Sequence, residues 1–252
     1  MTLGLLTVQA KNEILRRVLS VDLPSHRGRP RSLSTVETLE RILYICRTGC
    51  QWSQLPLPAH VSYKTVHRRF MDWSKKRVFE DSFKNLAAGY ARNQQKSLVV
   101  DSTFVKNVFG KEVIGRNHTD RGRRATKVSL LTDTAGVPIA TTYQFPNKHD
   151  STTLKHLLHV AQNILPHSIS LHSALYADKA YDSQTCRTTC SVLGLVPMIP
   201  KRRTPDRLGS LRYVIETTFG RLDRFRRIIM RYDATIHAFK SFHSLACCCL
   251  FR

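Results

Sequence analysis

An α/β sheet domain preceded by a small all-helical domain is the fold that this 252-residue chain predicts, and three observations carry the prediction. Residues 34–93 show only helical periodicity, with no strand alternation before residue 96. From residue 96 onward, short apolar runs bounded by turn residues alternate with helical stretches, the order expected of a sheet with helices on its faces. An apolar share of 42%, with 11 Phe, 8 Tyr and 2 Trp, is enough to build buried cores and excludes wholesale disorder. The division follows: a helical domain in 1–95, with a basic loop at 24–33, and an α/β domain in 96–252.

The stretch Pro24-Ser25-His26-Arg27-Gly28-Arg29-Pro30-Arg31 reads as an exposed basic loop. Ser34-Thr35-Val36-Glu37 has the S-x-x-E spacing of a capping box, and Leu39, Ile42, Leu43 and Cys46 share one face before Gly49 stops the helix. A second helix is expected from near Ser62, with Val66, Phe70 and Trp73 on one face and Lys64, Arg68 and Lys75 elsewhere on the surface. A third amphipathic segment runs from Phe79 to Tyr90. The arrangement is compatible with a helix-turn-helix, and equally with an ordinary bundle that has a solvated basic face.

Beyond residue 96, Ser97 to Asp101 suits a buried strand. Val128 to Thr132 and Val137 to Tyr143 flank the turn signal Asp133-Thr134-Ala135-Gly136. Thr152 to Ile164 has helical spacing, and Ala174 to Asp178 is again a short strand ending in an acid. Ser183 to Leu193 reads as a helix, Val196 to Ile199 as a strand and Leu211 to Arg227 as a long helix.

Charge narrows the function classes. Forty Lys+Arg against 18 Asp+Glu give +22, and the basic residues recur along the whole chain rather than in a tail. Such a balance implies a polyanionic partner, because cations that neutralise phosphates release condensed counterions. No run approaches the roughly 18–20 apolar residues that span a bilayer, and the first residues lack the pattern of a signal peptide. Seven cysteines without C-x2-C pairs fit reduced core thiols better than zinc or a disulfide scaffold. His156 and His159 read as surface histidines.

In a chain with few acids, Asp101 and Asp178 are expected at the C-terminal ends of buried strands, where open α/β sheets place their ligands. Glu216 projects from the long helix as a third carboxylate. Three hard oxygen donors suit Mg²⁺ and phosphodiester displacement. The other reading is that these acids cap turns or pair with the many arginines.

Several motifs occur in order along the chain. They are Arg29-Pro30-Arg31, the run from Ile42 to Pro56, Asp133 to Pro138, and His149-Asp150. They continue with Ala177-Asp178-Lys179-Ala180-Tyr181-Asp182-Ser183, Arg212-Tyr213-Val214-Ile215-Glu216, Arg226-Arg227-Ile228 and Arg231-Tyr232-Asp233. Together they resemble insertion-sequence transposases of the DDE superfamily, of the insertion-sequence-five and insertion-sequence-four type. The resemblance implies an RNase H-like mixed sheet flanked by helices, with Asp101, Asp178 and Glu216 as first, second and third catalytic acids. It implies that these acids hold two Mg²⁺ ions, with Mn²⁺ as a substitute. It further implies binding to the terminal inverted repeats of the element, strand cleavage, and transfer of the freed 3′-hydroxyl to target DNA. Arg212 matches a basic position that contacts phosphate or positions the acid, and His149, Asp150 and Asp182 match positions that could support the metals or cap turns.

The expected partner is double-stranded DNA, at element ends and target. Arg29, Arg31, Lys64, Arg68, Arg69, Lys179, Arg212, Arg221 and Arg224 are the DNA-binding candidates. A homodimer is the expected working form in the synaptic complex. The expected location is the cytoplasm, on the nucleoid, or the nucleus in a eukaryotic source. Three positions depart from the family pattern: Ala180 where Gly is common, Thr217 where Arg is usual, and Asp223 where a Lys follows the Glu by seven residues. Two alternatives stand beside the transposase: a transposase-derived DNA-binding protein that does not cut, which the Asp223 departure motivates, and a general metal-dependent nuclease.

Overall fold

The computed structural model describes residues 2–23, 31–92, 97–165, 173–201 and 209–251. The chain forms two compact units. One comprises the chain up to Leu86, Phe109–Glu112 and the chain from Leu222 on; the other comprises Ala87–Val108 and Val113–Arg221.

The first unit is helical. Helix α1 (Val8–Val21), which sequence periodicity does not pick out, is capped by Thr7 and buries Ala10, Ile14 and Val18. Its buried stripe is one residue per turn, too narrow to stand out. Helix α2 (Thr35–Thr48) has the expected capping box: Ser34 Oγ accepts from Glu37 N–H, and the Glu37 carboxylate accepts from Ser34 N–H. Gly49 ends it at φ 69°, in the left-handed region that favours glycine. Helix α3 (Tyr63–Lys75) is capped by Ser62 and buries Val66, Phe70 and Trp73, while Lys64, Arg68 and Lys75 are exposed. Helix α4 (Val78–Ala91) follows.

The core of this unit closes against residues far along the chain. Phe70 stacks on Phe242, with ring centroids 4.4 Å apart, and Trp52 packs against both rings. Buried arginines are among its polar groups, Arg227 and Arg69 in particular. Arg227 pairs with Asp233 at 2.7 Å, both almost fully buried, and lies over the rings of Trp52 and Phe242. Arg69, expected on the DNA-facing surface, is instead buried. Its guanidinium donates to the Asp22 carboxylate, to the Thr38 and Thr35 hydroxyls and to the Leu33 carbonyl. A cation this enclosed persists because carboxylate and carbonyl oxygens replace water around it.

The second unit is a mixed sheet with helices. Its strands are β1 (Leu98–Asn107), β2 (Gly115–Asn117), β3 (Arg123–Asp133), β4 (Pro138–Gln144), β5 (Ala174–Tyr176) and β6 (Val196–Met198). Strand β1 is antiparallel to β3 and parallel to β5; β2 and β4 pair with β3, and β6 runs parallel to β5. Helix α5 (Asp150–Ile164) packs on β3 and β4 and against α6 (Gln184–Val192). The order β4-β3-β1-β5-β6, three antiparallel strands leading into two parallel ones, is the RNase H-like sheet.

Two expected boundaries move. Strand β1 continues six residues past Asp101, so that acid lies within the strand rather than at its end. The cause is continuous pairing with β3, from Leu98↔Asp133 to Lys106↔Ala125. The apolar run stops at Val100 because burial falls from complete to partial there, not because the strand ends. The long C-terminal helix is also shorter than expected. Helix α7 (Gly209–Leu222) ends before Asp223, and a single helical turn, α8 (Arg226–Ile229), follows the break. After the two-residue strand β7 (Met230–Arg231), α9 (Ile236–Cys248) buries Cys247 and Cys248 as core residues. Among the described residues, no helix is long and apolar enough to cross a membrane.

Candidate active site

Two of the three acids meet at the centre of the second unit's sheet. Asp101 on β1 and Asp178, two residues beyond the end of β5, line one cleft together with Tyr176, Arg212 and Ile215. Parallel pairing of β1 with β5 brings them there, because Val99 and Tyr176 are register partners and both acids lie two residues further on. Asp178 caps the single 3₁₀ turn Lys179–Tyr181, its Oδ1 accepting the Ala180 N–H at 2.9 Å.

The Asp101 carboxyl is under electrostatic stress. Burial pushes its carboxyl up to about 6, and the charges of Asp178 and Asp150 add to the shift. The Ser102 N–H, donating to Oδ1 at 2.7 Å, and the Arg212 guanidinium oppose it. Burial and a neighbouring acid both disfavour the charged form of the Asp101 carboxyl, and a nearby positive charge would favour it.

A hydrogen-bond chain ties the two acids' supports together. Tyr181, buried, places its hydroxyl 3.0 Å from Ser102 Oγ, which lies 2.8 Å from Ser129 Oγ on β3. The turn that carries Asp178 is thereby fastened to the strand that carries Asp101. Sequence reasoning does not reveal this chain. For Tyr181 the signal is its place within the Ala177–Ser183 motif; for the two serines there is none.

Glu216 stands differently. It is 57% exposed on α7 and pairs with Arg212, one turn earlier, at 3.5 Å. Helix α7 is itself fixed by Thr218, whose hydroxyl lies 3.0 Å from the Gly136 carbonyl in the β3–β4 turn. Gly136 is at φ 76°, and a Cβ there would come within 2.7 Å of Thr218 Oγ1. Among the described residues, no three His, Cys, Asp or Glu side chains lie close enough to hold a metal ion. The structure thus brings Asp101 and Asp178 together and leaves Glu216 beside Arg212. Asp223, seven residues past Glu216, lies beyond the end of α7.

The remaining candidates are distributed. Lys64 and Arg68 are exposed on α3, Lys179 and Arg221 are half-buried, and Arg224 is exposed. Arg31 is exposed but turned back on the end of α1, donating to the Leu23 carbonyl at 2.6 Å and to the Asp22 carboxylate at 3.1 Å. Arg29 lies outside the described residues. His149 caps α5, while Asp150 pairs with the buried Lys127 at 2.6 Å. Asp182 pairs with Arg187 at 2.7 Å.

Residues 92–251 match the model of the transposase DDE domain, and residues 10–83 match that of an IS4/5-family transposase region. A Burkholderia cepacia protein, described as a transposase for insertion sequence element IS402, is 33% identical over 145 residues, 56% of this chain and 69% of its own length. The crystal structure of the catalytic domain of Mos1 mariner transposase is similar at 13% identity and a TM-score of 0.33, over 65% of this chain and 86% of that one. The pre-cleavage Mos1 transpososome gives 14% and 0.32, over 95% and 84%. With the domain model spanning well over half of its residues, the chain belongs to the DDE-domain transposases, and its function is that of a DNA transposase.

Proposed function

We propose that Asp101, Asp178 and Glu216 are the acids of this transposase, and that they act with Mg²⁺ in cleaving the ends of its element and transferring them to target DNA. The observation that carries the reading is the pairing of Asp101 and Asp178 in one cleft with an arginine at its wall. The donor set fits a hard divalent cation: two carboxylates, one of them largely buried and raised by that burial to about 6. A divalent ion held there supplies Lewis acidity for phosphodiester displacement, neutralising charge on the phosphate under attack.

The protein's own groups divide the remaining work. Asp101 and Asp178 hold the cation and fix its position relative to the sheet. Ser102, Ser129 and Tyr181 keep the two acids' backbones in register. Arg212 binds the DNA phosphate through a charge-assisted contact. Once the phosphate takes up the guanidinium, Glu216 loses its partner and is free to turn toward the two aspartates, completing the acid triad only when DNA is present. The exposed cations of α3, Lys64 and Arg68, contact the element's terminal repeats, and two copies of the chain bring two ends together as a homodimer.

The test is cleavage of a labelled duplex carrying the gene's own flanking end, with Mg²⁺ or Mn²⁺, wild type beside Asp178→Asn. Metal-dependent cutting at the repeat boundary, lost in the variant while end binding persists, is the expected result. Wild-type protein that binds the end and never cuts it would overturn the reading. That outcome would favour a DNA-binding protein descended from a transposase, a second reading motivated by Glu216 standing beside Arg212 rather than with the aspartates.

A further inference from the structure

Strands β1 and β3 stay paired beyond the reach of β4 and β5. Strand β5 pairs only with Leu98 and Val99 of β1, and β4 reaches no further along β3 than Lys127. Pairing of β1 with β3 continues to Lys106↔Ala125, and β2 adds residues 115–117 against 123–125. This far end of the ribbon carries Lys106, Arg116, Arg121, Arg123 and Arg124, all exposed.

Local stability does not explain this set. Arg116 and Arg124 are register partners, directly opposite each other, and like charges so placed repel. Arg121 sits at φ 51°, in the left-handed region where Gly or Asn is at home, and Gly122 follows at φ 72°. The nearby acid, Asp120, meets Lys106 and Arg123 only at 3.7 and 3.9 Å. Among the described residues, no carboxylate pairs with Arg116, Arg121 or Arg124. An acid opposite Arg116 and a glycine in place of Arg121 would both suit the ribbon better. Positive charge stands at both positions against the preference of the backbone and of the cross-strand pair.

A polyanion would relieve the repulsion, and it would account for an arginine standing where the backbone favours glycine. We propose that this ribbon end grips the phosphate backbone of duplex DNA without reading its sequence, as a contact separate from the exposed face of α3. The proposal rests on the chain acting on DNA and adds a surface to that reading. Phosphate contacts of this kind set position on the duplex and make binding salt-dependent.

The experiment uses the full chain and a random-sequence duplex, with affinity measured across a salt series and thermal stability measured alongside. Replacing Arg116, Arg121 and Arg124 together by Gln should lower the slope of log affinity against log salt by about 2 to 3, at roughly 0.9 per lost phosphate contact. Arg121→Gly and Arg124→Glu should each weaken binding while the melting temperature stays level or rises, since one relieves the backbone and the other gives Arg116 an opposite charge. That separation would mark the arginines as binding groups rather than structural ones. An unchanged slope in the triple variant, with wild type still binding steeply, would overturn the proposal. So would weakened binding in Arg121→Gly and Arg124→Glu that tracks a fall in melting temperature. A variant in α3, Lys64→Gln with Arg68→Gln, separates the two levels. Its lowered slope keeps the DNA reading standing if the ribbon end fails, and absence of duplex binding in wild type removes the reading underneath both.

Discussion

Asp101 has a carboxyl raised to about 6 from its ordinary 3.8, chiefly by burial, so the folded chain holds that proton more tightly than the unfolded chain does. Its contribution to stability is full below 3.8 and is lost as pH rises through 6. At pH 8, without metal, the ionised carboxylate should cost on the order of 2 to 3 kcal/mol. Asp101→Asn should therefore melt at a higher temperature than wild type in chelator at pH 8, while failing to cleave DNA. A lower melting temperature would show that the carboxylate is already satisfied by its neighbours. His243 gives the opposite case. Burial pushes its imidazole down to about 3 from 6.5, so the folded chain keeps it neutral. Stability should hold above 6.5 and fall by up to about 1.4 kcal/mol per pH unit as pH drops toward 3. Denaturation midpoints between pH 7 and 4 should fall less steeply in His243→Gln than in wild type, and parallel slopes would refute the assignment. Arg69 shows what residue type alone conceals. Nothing in Arg68-Arg69 distinguishes the exposed side chain from the buried one; the partner that decides it, Asp22, is 47 residues earlier in the chain.

Elements are legible where a cap or a regularly spaced inward face marks them. Helix α2 has its capping box and its left-handed glycine, and its bounds follow from those residues. Helix α3 has its serine cap and three inward side chains at helical spacing. Strand β1 is legible only for its buried half, because pairing with β3 continues after the apolar pattern ends. For the site, the resemblance marks the acids, but their spatial relation comes from parallel pairing of β1 with β5, which no local pattern encodes. The Tyr181–Ser102–Ser129 chain belongs to this scale, since it joins a turn to two strands. Tyr181→Phe removes one hydroxyl and leaves the buried ring in place. The Mg²⁺ concentration giving half-maximal cleavage should rise severalfold, with end binding and melting temperature nearly unchanged. Weaker Mn²⁺ binding by calorimetry should accompany it. An unaltered metal requirement would show that the two acids keep their spacing without the hydroxyl.

Across the described residues, several of the scarce acids are engaged in the fold. Asp22 holds Arg69 and Arg31, Asp233 holds Arg227, Asp150 holds Lys127 and Asp182 holds Arg187. They pair with buried Arg69, Arg227 and Lys127 among others, and the whole sequence carries an excess of +22 at pH 7. An uncompensated charge of that size repels itself, and salt screens the repulsion. The melting temperature of the free protein should therefore rise between roughly 0.05 and 0.3 M salt, and duplex DNA at low salt should raise it further by binding the folded form. A melting temperature that falls with added salt would mean that attractive pairs, not repulsion, dominate the balance.

The Phe70–Phe242 stack has a consequence for synthesis. A ribosome makes the residues of α3 long before it makes those of α9, so the inner face of α3 has no complete core to rest on until translation has passed Phe242. The unit that contains α3 must wait, open, while the intervening sheet domain is made. A message broken between the codons for Leu222 and Phe242 would yield a product in which Phe70 lacks the ring it stacks on, so that part of the core would stay unclosed.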